Sequence, residues 1–172
     1  MGPVYAEVEL DVPRDLAYEF VADLGNRPAF TDHFISDFRL SRLGSTGVGA
    51  GARYRIFAPP QALWVDTTIT ALDPGRRISE RGSGGRHNRI PTATEWEFLE
   101  GPGPLCTARV TYWTSPAHHL DRAKDVLGGA SIWYERDWRT AMRRLRDLLE
   151  SGEAPAAKVG VGGGNRYATG VP

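Results

Sequence analysis

The residues best placed to do chemistry are one carboxylate and three phenols on alternating segments. Between Arg76 and Arg81, Ile78 marks an inward face and Glu80 shares its parity. A carboxylate in a dry interior is costly unless it is paired or has its pKa raised. It could then act as a general acid or base, with His87 or Arg89 as its partner. The plainer expectation is that this short strand sits at a rim, where Glu80 reaches water. Tyr54 alternates with Ala52 and Ile56 on one face, leaving Arg53 and Arg55 on the other. Tyr112 and Tyr134 add two more hydroxyls that could aim at a carbonyl oxygen, although tyrosine is also an ordinary core residue with a polar handle. Glu80 and Tyr54 are therefore the catalytic candidates. Phe38, Tyr54, Trp96, Phe98, Tyr112, Tyr134 and Trp138 are the candidate walls of a ligand site.

Other patterns carry less. Gly47, Gly49 and Gly51 invite a phosphate-loop reading, but that chemistry needs a helix N-terminus next, and Ala52–Ala58 reads as a strand. Of four histidines, His118 and His119 are neighbours that would point apart on a helix, and His33 and His87 are distant in sequence; none has ligand spacing, so no metal is expected. Cys106 stands alone, which excludes an internal disulfide, and a buried apolar role is its default. Twenty-one basic residues cancel 21 acidic ones, so charge makes no case for nucleic acid or membrane insertion. The sequence has no signal-peptide pattern and no apolar run long enough to span a bilayer, so a cytoplasmic location is expected.

The elements that must position these groups follow from periodicity. Leu127, Ala130, Tyr134, Trp138, Ala141, Leu145 and Leu148 recur at steps of three and four, which predicts a long helix over Leu127–Glu150 with one narrow apolar stripe. Arg136, Arg139, Arg143, Arg144 and Arg146 lie off that stripe, and a solvated back is the reading for them. Upstream, Val4–Val12 alternates as a strand, and Pro13 opens a short helix carrying Leu16, Ala17, Phe20, Val21 and Leu24. Arg27–His33 makes a second short helix or turn. Six strands follow on short turns: Phe34–Leu43, Ala52–Ala58, Leu63–Leu72, Arg76–Arg81, Thr92–Leu99 and Cys106–Thr114. Short connections make them antiparallel. Gly82–Gly85 is expected as a turn or flexible loop, and Gly128 and Gly129 as a kink or fresh start before the long helix. Residues 153–172 are few in large apolar side chains and read as a disordered Gly-rich tail after a 1–152 domain. A curved sheet around one narrow apolar stripe leaves space on its concave side, the default site for an apolar ligand.

In this order the chain resembles the START-like, or SRPBCC, superfamily of helix-grip proteins, and within it the polyketide cyclase/dehydrase-like branch. The resemblance spans about Val4 to Gly152. It rests on Val12-Pro13 opening the first helix, on Pro28 and Phe30, on Gly47-Val48-Gly49 with Ala50-Gly51-Ala52-Arg53, on Ile69 before Asp73-Pro74 and Arg77-Ile78, on Trp96 and Phe98 before Thr107, Val110 and Thr111, and on Leu145, Leu148 and Glu150. The resemblance implies an α+β helix-grip fold, a curved sheet of about seven strands around the C-terminal helix. It implies binding of a hydrophobic small molecule, a lipid, polyketide or quinone. The alternative is a polyketide aromatase/cyclase working by general acid/base catalysis in the same cavity. No cofactor is implied: the cysteine and histidine pairs of the Rieske-type oxygenase relatives are absent. A third reading is an interaction module that meets a partner protein through the Arg-rich helix back or the tail. Fold alone does not choose between these.

Overall fold

The computed structural model describes residues 2–58, 61–115, 129–152 and 159–161. The chain opens with β1 (Val4–Leu10), in which Val4, Ala6, Val8 and Leu10 are buried and the residues between them exposed. Pro13, with φ near −56°, leads into α1 (Arg14–Ala22), as a residue with a preset φ can without losing a hydrogen bond. A 3₁₀ turn at Leu24–Asn26 follows, capped by the Asp23 carboxylate, which accepts from Gly25 N at 2.8 Å. Next comes the short α2 (Arg27–Thr31). Then come β2 (Ile35–Leu40), β3 (Gly51–Ala58), β4 (Gln61–Asp73), β5 (Arg77–Gly84), β6 (Ile90–Glu100) and β7 (Cys106–Thr114), before α3 (Ala130–Ser151) and the two-residue β8 (Gly160–Val161).

The strands form one sheet in the order β1-β7-β6-β5-β4-β3-β2-β8. Pairing from β2 to β7 is antiparallel at every step, as short turns require. β1 pairs with β7, which brings the N-terminus beside the last long strand. Only β8 runs parallel, laying Gly160 and Val161 against Arg39 and Leu40 at the other edge. This is an α+β helix grip: α3 lies along β1 and against α2, and α1 closes over β6. On α3 the predicted stripe is buried at Ala130, Tyr134, Trp138, Ala141 and Leu145, with Met142 and Asp137 beside it. Each large apolar side chain buried this way contributes about 1.5–3 kcal/mol. Gly152 ends α3 in the left-handed conformation, φ 67°, where the lack of Cβ removes the strain.

Three expectations need correction. The strand at Phe34–Leu43 is shorter, Ile35–Leu40, and its pairing with β3 slips between Ser36 and Arg39, where Asp37 takes φ 54°. One extra residue switches parity, so Ile35 takes the buried position that alternation gives to Ser36, while Phe38 stays on the face of Leu40 and is half-buried. Gly82–Gly85 is not a turn. Gly82 and Gly84 sit inside β5, opposite Thr67 and Val65. A Cβ on Gly82 would collide with the Asp66 carbonyl oxygen, so the glycine is there for close backbone approach. The turn comes next, with Gly85, His87 and Asn88 all at positive φ. The long helix begins at Ala130, after Gly129 at φ 59°. Leu127, Gly128, His118 and His119 lie outside the described residues. So does the tail apart from Val159–Val161, two of whose residues form β8.

Candidate ligand site

Glu80 points into the molecule from β5 and is 1 % exposed, so the rim expectation does not hold. The 13-residue β4 and the 8-residue β5 extend well past it on both sides. Its partner is neither His87 nor Arg89, both of which are exposed. It is Arg27, the first residue of α2, whose Nη2 donates to Glu80 Oε1 at 2.7 Å. Arg27 is itself 5 % exposed. Trp96 Nε1 donates to the same oxygen at 3.2 Å, and Thr67 Oγ1 donates to Oε2 at 3.4 Å. The guanidinium lies over the Trp96 ring, 4.8 Å from its centroid, and 5.9 Å from that of Phe30. A buried charge survives when its lone pairs are satisfied and its counter-ion is held. Here three donors from β4, β6 and α2 do both, and two aromatic faces add cation–π attraction.

Tyr54 projects inward from β3 next to this pair and is buried. Burial pushes its phenol well above the ordinary tyrosine value, and the Glu80 charge pushes it further up. Tyr54 is therefore a neutral O–H donor throughout the physiological range, never a phenolate base. Phe38 of β2 stacks flat on it, centroids 5.7 Å apart and planes 7° from parallel.

The remaining wall candidates meet around Trp138. Its ring lies 5.7 Å from Trp96, 6.0 Å from Tyr112 and 5.2 Å from Phe34, and Tyr112 touches Tyr134 at 5.2 Å. α3, β6, β7 and the α2–β2 connection thus deliver one aromatic cluster, bridged to the ion pair by Trp96. Phe98 is elsewhere: it packs edge-on to Tyr18 of α1, 5.7 Å away. Trp138 is 3 % exposed, yet its Nε1–H has no hydrogen-bond partner among the described residues. Beside it, His33 Nε2 lies 3.0 Å from the Asp137 carbonyl, and desolvation lowers the imidazole pKa. Asp32 and Arg144 tie α2 to α3 at the surface. A cleft of about 330 Å³ opens outside this cluster, lined by His33, Phe34, Arg55 and Phe57. Phe34 lines that cleft and touches Trp138.

Sequence reading missed Arg27 and Thr67, and had Phe30 and Phe34 as apolar positions but not as part of the site. Arg27 stands in a turn-rich run, Gly25-Asn26-Arg27-Pro28, where arginine is ordinarily solvated; nothing local marks it for burial. Thr67 was legible, since it shares parity with Val65 and Ile69 on β4.

Among the described residues no group of His, Cys, Asp and Glu converges as metal ligands would. Cys106 is buried, and burial raises its thiol pKa, which disfavours the thiolate. No described helix is long and apolar enough to cross a membrane.

Against known proteins, no family model and no curated sequence matches. Solved structures do. The aromatase/cyclase ZhuI from Streptomyces sp. R1128 superposes with a TM-score of 0.68 at 16 % identity, over 91 % of this chain and 99 % of its own. The fold is the helix grip. Norcoclaurine synthase from Thalictrum flavum, solved with dopamine and hydroxybenzaldehyde, shares that grip with a TM-score of 0.63 at 10 % identity, covering 89 % and 88 % of the two chains. A Deinococcus radiodurans protein has the same grip, TM-score 0.61 at 18 % identity, covering 89 % and 100 %. At such identities the likeness is one of architecture.

Proposed function

We propose that this helix grip binds a hydrophobic, aromatic small molecule, polyketide- or quinone-like, between the sheet and α3. The observation that carries the reading is the Trp138 indole N–H, buried among aromatic faces and lacking an acceptor. A buried donor left without a partner costs about 1–3 kcal/mol. A ligand oxygen that accepts from it recovers that cost, while the surrounding rings remove apolar ligand surface from water at about 25 cal/mol per Å². ZhuI, an aromatase/cyclase, and norcoclaurine synthase, solved with dopamine and hydroxybenzaldehyde, share this architecture. Titration with 1,4-naphthoquinone, followed by tryptophan fluorescence, tests the reading. Saturable quenching that Trp138→Phe weakens about tenfold supports it; quenching that is unsaturable, or indifferent to that substitution, rejects it.

A second reading, a polyketide cyclase, is favoured by one observation: Tyr54, held neutral, stands beside a fixed carboxylate. Its O–H can stabilise a developing enolate oxygen. Glu80 Oε1 is already occupied by two donors, so Glu80 acts by fixing Arg27 and Trp96 more readily than by moving protons. Turnover of a poly-β-ketone thioester that falls about a hundredfold in Tyr54→Phe supports an enzyme. Unchanged turnover limits the protein to binding.

A further inference from the structure

A second site lies outside the grip, on the free edge of the sheet. The sheet has two edges, and the chain covers them differently. β2 receives β8, whereas β1 pairs, among the described residues, with β7 alone. Beside the outer edge of β1 runs a cleft of about 900 Å³, floored by Tyr5, Ala6 and Glu7 and walled by Ile132, Glu135, Arg136, Arg139 and Arg143 of α3, with Arg109 of β7 alongside. That volume falls in the range of small-molecule sites.

The cleft has a direction. β1 and α3 run the same way, because Asp11 N, just past the end of β1, donates to Glu150 near the end of α3. The apolar groups therefore gather at one end: Tyr5 is 56 % exposed and Ile132 72 %. Arg143 lies eleven residues beyond Ile132, about 16 Å along the helix at 1.5 Å per residue.

The charge is also uneven. Four arginines face two glutamates, Glu7 and Glu135, leaving a net +2. Three of the arginines are engaged. Arg109 pairs with Glu7 at 3.0 Å, Arg139 pairs with Glu135, and Arg136 contacts Asp137 at 3.4 Å and stacks on Trp133. Arg143 donates only to the Thr140 hydroxyl, at 3.1 Å, and has no carboxylate among the described residues. A guanidinium so placed accepts a carboxylate or phosphate in bidentate fashion.

We propose that this cleft binds an anionic amphiphile, its acidic head on Arg143 and Arg139 and its apolar tail running along Ala6 and Tyr5 to Ile132. The site is separate from the Trp138 cluster and stands whether or not that cluster binds a guest.

The probe is dodecanoate below its micellar concentration, added to the full chain and followed by backbone amide shifts. Saturable shifts confined to β1 and α3 are expected. Dodecanol should bind at least tenfold more weakly, and Arg143→Gln and Ile132→Ser should each weaken dodecanoate five- to tenfold without changing the melting temperature. Equal affinity for dodecanol, indifference to both substitutions, or shifts centred on Tyr54, Trp96 and Trp138 would overturn the assignment. So would binding to phosphatidylglycerol vesicles with no response to monomeric dodecanoate, which would make the patch a membrane-surface contact instead.

Discussion

Arg27 and Glu80 lie 53 residues apart in the chain and form a buried ion pair, Nη2 to Oε1 at 2.7 Å, between a five-residue helix and the middle of the sheet. The pair fastens α2 to β5, and α2 in turn holds the end of the sheet against α3. Its strength is conditional on both members being present, since either one alone is an uncompensated buried charge.

Removing one member should therefore be severe. Arg27→Met is expected to cost about 3–5 kcal/mol in urea unfolding. The double change Arg27→Met with Glu80→Leu should recover most of that loss, because it removes both charges together. A double variant no more stable than the single one would mean that the pair contributes through something other than charge compensation.

Tyr54 makes alkaline stability steep. Its folded pKa is raised by burial and by Glu80, while in the unfolded chain the phenol ionises near pH ~10. Below that pH both states are neutral and the group is silent. Above it the unfolded state loses the proton first, so stability falls by about 1.4 kcal/mol per pH unit until the folded pKa is reached. Tyr18 shifts in the same direction, so the informative comparison is between the parent and Tyr54→Phe. The variant's unfolding free energy should decline more gently above pH ~10, by about that slope.

Trp138 separates packing from hydrogen bonding. Trp138→Ala removes a buried indole from a cluster of five aromatic side chains and should cost about 3–5 kcal/mol. Trp138→Phe keeps an aromatic face and deletes an N–H that has no partner in the free protein. The unliganded variant should thus lose much less, under about 2 kcal/mol by thermal melting, than the alanine variant. Equal losses would mean that the N–H is satisfied in the free protein.

Gly82 tests the register of β5. A methyl group there meets the Asp66 carbonyl oxygen and, at 2.8 Å, the Thr92 hydroxyl. Gly82→Ala should cost about 1–3 kcal/mol by overpacking. Gly2→Ala, where an added Cβ meets nothing within 4 Å, is the control and should leave the melting temperature unchanged.

How much of this was legible beforehand depended on whether the signal was local. Alternation in β1, β3, β6 and β7 and the stripe on α3 identified which residues face inward, because a half-buried element must repeat its apolar side chains at its own period. Tyr54, Trp96, Tyr112, Tyr134 and Trp138 were found in this way. The periods broke where the backbone is irregular. The bulge at Asp37 put Ile35 on the inward face where parity had Ser36, and two strand glycines in β5 looked like a turn because both roles need a missing Cβ.

The sequence by itself determined the order of the elements and the inward sets, since each follows from neighbours within a few residues. The tertiary structure alone decided what Glu80 meets, where the unpartnered Trp138 N–H lies, and which edge of the sheet stays open. The physical reason is separation along the chain: an arginine in a turn and a carboxylate 53 residues later carry no mutual signature until the sheet curls and sets one against the other.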